Sequence, residues 1–463
     1  MTLQIKFLGG VGTVTGSKYL VDTGEARILI DCGLFQGYKQ LRLRNWKPLP
    51  VDPASIEAVV LTHAHIDHSG HLPMLVKQGF KGPIHSTEAT FDLCEILLPD
   101  SAYLQEREAD RANRYGYSKH KPALPMYTQR DARKSLEHFR TSPFDKKVDV
   151  AKGVSATFRK AGHILGAAII ELETPTAKIV FSGDLGRPMD PLMFTPATIS
   201  QADYLLVEST YGNRQHGERD AEDALEDIIN RTAKRGGTVL IPSFAVGRAQ
   251  ALLYYIHELK AANRIPDLPV YLDSPMAIDA TEIFCKHPEC HRLSKDQAKR
   301  ACHVATYVHE GEDSKALDYD PMPKIIIAAS GMATGGRVLH HLKFFAPDAR
   351  NTILFAGFQA GGTRGAAMVA GIDRIKIHGE YHDVRAEIAN LHMLSAHADA
   401  DEIMDWLAGF ETPPMRCVTG SRKSWAGQLS YRSIMKPRIS TDDRETSGIA
   451  PLGERAERTS SRP

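Results

Sequence analysis

Leu61-Thr62-His63-Ala64-His65-Ile66-Asp67-His68 places four metal-binding side chains within six residues, directly after the apolar run that begins at Ile56. Alternating apolar and β-branched residues in Ala58-Val59-Val60-Leu61 predict a buried strand, and Ser69-Gly70 predicts a turn into a helix. Ligands at the C-terminal end of a strand face a crevice. On an extended backbone His63 and His65 point to one side, while Asp67 and His68, past the bend, reach towards a second ion. Imidazole nitrogens with a carboxylate oxygen suit zinc, whose open coordination position lowers the pKa of water. The competing reading is a solvated histidine-rich loop. It fits isolated histidines better than four ligands at this spacing.

Such an H-x-H-x-D-H string resembles the signature of the metallo-β-lactamase superfamily, and the superfamily's other motifs follow in order. The resemblance makes Asp31, in Ile28-Leu29-Ile30-Asp31-Cys32-Gly33, a residue that orients the cluster without binding an ion. His163, in Gly162-His163-Ile164-Leu165-Gly166, matches the third motif. Asp184, after Ser182-Gly183, matches the fourth, whose carboxylate bridges two ions. The implied ligand set is His63, His65 and His163 on one zinc ion, Asp67 and His68 on the other, and Asp184 between them.

The 463 residues are enough for two domains. Charged residues make up 24% and the net charge is +1, so nothing in the overall balance demands a polyanionic partner, and nucleic acid binding has to be argued locally. Cys32, Cys94, Cys285, Cys290, Cys302 and Cys417 show no C-x-x-C spacing, which fits a reducing compartment. The N-terminus reads as a first strand, and no apolar run approaches the ~20 residues needed to span a bilayer. A soluble, cytoplasmic protein without a membrane partner is expected.

Up to Glu208 the chain alternates β-rich runs (4–8, 18–22, 26–31, 58–61, 167–172 and 178–182) with helical stretches, which predicts a layered α/β domain. Residues 87–140 read as helices broken near Tyr115 to Pro125. The aromatic and basic Tyr115-Gly116-Tyr117-Ser118-Lys119-His120-Lys121 is either a solvated loop or the lining of a nucleic acid channel.

Glu208-Ser209-Thr210-Tyr211-Gly212-Asn213-Arg214, and later Ser395-Ala396-His397-Ala398-Asp399, narrow the resemblance to the β-CASP nucleases, RNA-processing enzymes that include the nuclease subunit of the cleavage and polyadenylation specificity factor. The fold implied is α/β: a metallo-β-lactamase αβ/βα sandwich with an inserted α/β β-CASP domain. Its expected boundaries are 1–208 for the first part of the sandwich, 209–370 for the insertion and 371–414 for the return. The resemblance implies a zinc-dependent ribonuclease acting on single-stranded RNA, with His397 as general acid and Glu208 supporting it. A homodimer is left open.

Two strand-to-helix turns add to this. Ser243 to Gly247 leads to Arg248, and Ser330-Gly331-Met332-Ala333-Thr334-Gly335-Gly336 follows the apolar strand that ends at Ala329. Backbone amides exposed by Gly331, Gly335 and Gly336, with Ser243, Ser330 and Arg248, make up a candidate phosphate cradle. Ordinary turns are the alternative.

After Pro414 the family continues with a strand ending in His-Gly-Glu-Pro, whose histidine ligates the second ion. Here Met415-Arg416-Cys417-Val418-Thr419-Gly420-Ser421 follows instead. One permitted back-translation of Cys417 to Trp425 gives Arg-His-Gly-Glu-Pro once two nucleotides are dropped. We therefore expect a reading-frame change near residue 415, which sequencing the gene would test. Residues 415–463 read as an aberrant tail, Ser-, Arg- and Thr-rich from Gly427 and expected to be disordered. Without that histidine the second ion is weakly held. Two alternatives remain: a catalytically weakened RNA-binding scaffold, and a DNA-acting relative.

Overall fold

The computed structural model describes residues 3–217, 220–357, 359–412, 414 and the backbone of 416–419. Two six-stranded sheets lie face to face. The first runs Gln4–Phe7, Tyr19–Asp22, Arg27–Ile30, Ala58–Val60, Ile84–Ser86 and Phe139–Thr141 in spatial order. The second runs Arg416–Thr419, Tyr204–Val207, Lys178–Phe181, Ala168–Glu173, Val154–Lys160 and Lys147–Ala151.

Strand alternation explains the layering. Ile28 and Ile30 enter the core between the sheets with Val60, Phe158, Ile170 and Phe181, whereas Leu29, Val59 and Leu61 face an outer helical layer with Leu72, Leu75 and Leu93. Helices cover both outer faces, giving the αβ/βα sandwich. The break expected after Tyr115 is present: helix Glu88–Tyr115 ends at Gly116 in the left-handed conformation, and helix Gln129–Leu136 follows.

The inserted unit is a third sheet ordered Thr306–Tyr307, Val270–Asp273, Ile325–Ala328, Val239–Pro242, Thr352–Phe355 and Glu387–Asn390, with every pairing parallel. Its two central strands, Val239–Pro242 and Ile325–Ala328, are buried along their whole length, as a sheet covered by helices on both faces requires. Glu387–Asn390 belongs to this sheet, which corrects the boundary expected at 370. A hairpin, Arg374–Ile377 with Glu380–Asp383, precedes that last strand and carries polar residues that hide the domain's continuation.

A second correction concerns the tail. Arg416–Thr419 is a strand, paired in parallel with Tyr204–Val207 so that Thr419 lies level with Val207. It adds to the parallel end of an otherwise antiparallel sheet, beside the apolar strand Tyr204–Val207. The rest of the expected disordered segment, from Gly420, lies outside the described residues, as does Met415. Among the described residues no helix is long and apolar enough to cross a membrane.

Candidate metal centre

All the predicted ligands lie at the same edge of the two sheets. Strand Ala58–Val60 delivers His63. The chain then turns at His65 into the short helix Ile66–Ser69, which carries Asp67 and His68. That turn packs closely on the loop after strand Arg27–Ile30: a Cβ at Gly33 would lie 1.5 Å from the Asp67 carbonyl oxygen, so only glycine fits there. A Cβ at Gly186 would lie 1.8 Å from the Gly162 carbonyl oxygen, and this close approach seats the His163 and Asp184 loops together.

Four donor atoms converge. His65 Nδ1 is 3.2 Å from His63 Nε2 and 3.2 Å from His163 Nε2, and Asp184 Oδ2 is 3.5 Å from His63 Nε2 and 3.4 Å from His163 Nε2. Donors around a tetrahedral zinc ion at ~2.1 Å sit about 3.4 Å apart. Protons do not account for this arrangement, because two nitrogens approach the same nitrogen. Burial pushes His63 and His163 well below the ordinary histidine range and lowers His65 to about 4, leaving neutral rings with lone pairs to donate. For Asp184 burial acts in the opposite sense, but the neighbouring His68 and His63 outweigh it and hold the carboxyl well below its usual range.

Two of these rings have a partner at their other nitrogen. His63 Nδ1 is 3.0 Å from Thr62 Oγ1, which donates to Asp31 Oδ2 at 3.0 Å. His163 Nδ1 faces the Ala396 carbonyl at 3.2 Å. Asp31 sits in the left-handed region at φ 56° and also accepts from the Thr62 amide at 2.8 Å and from His68 Nδ1 at 2.7 Å. It thus reaches the His63 ring through Thr62 and touches the His68 ring directly.

The second group is less complete. His68 Nε2 lies 3.4 Å from Asp184 Oδ1. Burial opposes a charge on His68, but Asp184 and Asp31 on either side raise it well above the ordinary value. Asp67 is pushed up to about 6, first by burial, against His68, with Asp184 adding to the rise. Among the described residues, the donors of Asp67, His68 and Asp184 do not gather as those of the first group do.

Beside the cluster, His397 Nδ1 approaches both Glu208 oxygens, at 3.3 and 3.2 Å, and Asp184 Oδ2 at 4.0 Å. Burial disfavours its charge, yet Glu208, with Asp184 and Asp67, raises it to about 9. The Glu208 carboxylate also accepts from the Leu185 amide. His397 has two further partners to which sequence reasoning gave no role: Tyr211 stacks on its ring at 5.9 Å, and His216 Nε2 faces its carbonyl at 2.9 Å.

The turns proposed for phosphate lie at the carboxyl ends of the inserted parallel strands, where open α/β sheets bind ligands. A Cβ at Gly247 would touch Ile164 at 3.2 Å, so Arg248 stands next to the His163 loop. Burial lowers the Arg248 guanidinium to about 10, and its Nε is buried without a hydrogen-bond partner. A Cβ at Gly331 would meet the Phe244 amide at 2.9 Å, so the two turns abut. Ser330 Oγ accepts from the Thr334 and Gly335 amides, at 3.1 and 3.3 Å, and so closes its own turn. Ser243 Oγ donates to the Phe244 carbonyl, and Gly336 packs against the Ala329 carbonyl.

Comparison with known proteins adds three family matches: the metallo-beta-lactamase superfamily over residues 11–235, the Beta-Casp domain over 249–368, and the Zn-dependent metallo-hydrolase RNA specificity domain over 381–427. The chain is 36% identical over 415 residues to Ribonuclease TTHA0252 of Thermus thermophilus, covering 88% of this chain and 91% of that one. It is 33% identical over 443 residues to Transcription termination factor FttA of Methanosarcina mazei, covering 90% of this chain but 66% of that longer relative. A crystal structure of a protein of unknown function from Enterococcus faecalis V583 shares the fold, with a TM-score of 0.51, 14% identity and coverage of 91% and 94%.

Proposed function

Because the chain belongs to the β-CASP branch of the metallo-β-lactamase superfamily, we propose that it is a zinc-dependent ribonuclease that hydrolyses phosphodiester bonds of single-stranded RNA. The observation that carries this reading is the clustering of three neutral imidazole nitrogens and one carboxylate oxygen, with neighbouring donors 3.2–3.5 Å apart, beside an imidazole paired with a second carboxylate. His63, His65, His163 and Asp184 would hold one ion; His68, Asp67 and the second Asp184 oxygen would hold another. When bound, such ions polarise a phosphodiester and lower the pKa of water to near neutrality.

The chain's own residues do the remaining work. Glu208 fixes the His397 ring through Nδ1, leaving Nε2 to deliver a proton to the leaving oxygen. Asp31, through Thr62 and His68, holds the ligand rings in the tautomers that donate inward. Arg248, with the amides around Gly331, Gly335 and Gly336, presents positive charge to a phosphate on the inserted side of the cleft. Ser330 and Ser243 support the turns from within.

The test is metal analysis of protein purified without chelator, followed by matched single-stranded RNA and DNA substrates. Bound zinc with RNA cleavage supports the reading. Hydrolysis by metal-free protein, or cleavage of DNA alone, defeats it. The looser second group, in a chain whose sequence after Pro414 departs from the family string, favours a secondary reading of a nuclease with impaired turnover.

A further inference from the structure

The aromatic and basic stretch after Tyr115 continues a pattern on the helix before it. In helix Glu88–Tyr115, positions 103, 107, 111 and 114 recur at helical spacing and hold Tyr103, Arg107, Arg111 and Arg114, all exposed, while Ala102, Ala109 and Ala112 fill the opposite, buried face. A charged helical stripe is ordinarily a solvated face laced with opposite charges. This one is not. Among the described residues none of the three arginines forms an ion pair: Glu106 accepts from Gln129 instead, Glu108 accepts from the Tyr117 hydroxyl at 2.7 Å, and the exposed Asp110 pairs with none of them.

Facing this stripe, the inserted domain presents more cations. His378 and His340 lie with rings 5.2 Å apart; beyond burial, Lys343 disfavours a further positive charge on both and Arg364 on His378, while Asp318, already engaged by His341, acts in the opposite sense on His340. Arg111 belongs to the same field: after burial, Lys343 and His340, its guanidinium also holds His378 below the ordinary histidine value. Among the described residues Arg364 donates to the Lys376 and Ala333 carbonyls and to no carboxylate. Two domains thus turn unneutralised positive charge towards one gap, an arrangement that repels itself unless an anion enters. Aromatic rings are interleaved with the charges: Arg107 lies 5.9 Å from the Tyr103 ring, Arg114 lies 5.8 Å from the Tyr115 ring, and Tyr115 and Tyr117 are exposed. Alternating cations and exposed aromatics suit a strand of several phosphates with unpaired bases.

We propose that the Arg107–Arg111–Arg114 face, with Tyr115, Tyr117, Lys343 and His378, is a clamp that grips the backbone of single-stranded RNA away from the scissile phosphate. This rests on the ribonuclease reading for the identity of the polyanion, and it is tested separately from it.

The triple variant Arg107→Ala, Arg111→Ala, Arg114→Ala is exposed and keeps helix propensity, so it should fold; its far-ultraviolet circular dichroism and Tm provide the check. Binding of a labelled single-stranded RNA of about 20 nucleotides is measured across a salt series. The slope of log Kd against log salt should fall by about 2, and affinity by about tenfold or more. A control triple, Lys146→Ala, Lys147→Ala and Lys152→Ala, removes the same charge at the far edge of the second sheet. Hydrolysis of bis(4-nitrophenyl) phosphate, too small to reach the clamp, should be unchanged in both variants, while KM for RNA rises in the first. The clamp is overturned if the arginine variant keeps wild-type affinity and slope, if the control shifts both equally, or if polyglutamate of equal charge displaces RNA as well as RNA itself does. If the wild type hydrolyses neither substrate, the ribonuclease reading falls, and the salt series still decides the clamp.

Discussion

On one side of Asp184, two imidazole nitrogens stand 3.4–3.5 Å from Oδ2 and share His65 Nδ1 as a neighbour; on the other, His68 alone approaches Oδ1 at 3.4 Å. The rings of the first group are kept neutral by burial, so their lone pairs are free to bind a cation. His68 instead lies between Asp31 and Asp184, which favour its charged form. The first group therefore suits a cation, whereas in the second a proton on His68 would compete with one. The two halves of the centre should accordingly differ in how tightly they hold an ion.

The most severe way to break this comparison is His65→Ala. It should abolish hydrolysis and remove the tightly held ion, as zinc analysis after dialysis would show; retained activity would remove the basis for the first group. Next is His397→Ala, which should lower kcat about 10²-fold or more while leaving zinc content unchanged. A loss of metal in that variant would make His397 a ligand and not a proton donor. Asp31→Asn should cost about 10- to 100-fold in activity or metal affinity. If the argument about His68 holds, calorimetric titration will show the loss falling mainly on the weaker ion.

The smallest effect is expected in the inserted domain, where His341 repeats the second arrangement. It lies fully buried between Asp273 and Asp318, with 2.6 Å contacts to both. Burial opposes its charge, but the two carboxylates raise it above the ordinary value. A raised histidine contributes stability that is fully present below its unfolded pKa, about 6.5, and is lost as pH rises through the folded value. His341→Gln should therefore cost about 1–3 kcal/mol near pH 6 and less at alkaline pH, as denaturant midpoints would show. Equal costs at both ends would mean that His341 is neutral and that the parallel with His68 fails.

The proposed ligands can be named from sequence because metal chemistry restricts residue type and because His63, His65, Asp67 and His68 are neighbours in the chain. Short strands with β-branched cores, such as Arg27–Ile30 and Lys178–Phe181, were equally plain. What escaped depends on partners distant in sequence. Glu387–Asn390 is only half-buried and carries two polar residues, so nothing local marks it as the last strand of the insertion. Val154–Lys160 buries Ser155 and Thr157 and ends in two cations, which blurs its alternation. Ser330 reads as a phosphate contact, but its hydroxyl closes its own turn, and only the folded backbone reveals that. The Ala396 carbonyl that orients His163 has no side-chain signature at all.

Strands Tyr204–Val207 and Arg416–Thr419 are immediate neighbours in the second sheet, although the whole inserted domain lies between them in sequence. Loop-closure entropy grows only slowly with length, but a contact of such long range forms late. As the chain leaves the ribosome, all six proposed ligands, from His63 to Asp184, emerge before the insertion begins. The last strand and His397 emerge only after it. An ion can thus be captured by a half-made protein, while the group placed to deliver the proton arrives only once the inserted domain has folded and brought the chain back. A nascent chain therefore lacks its proposed proton donor until the insertion has been made.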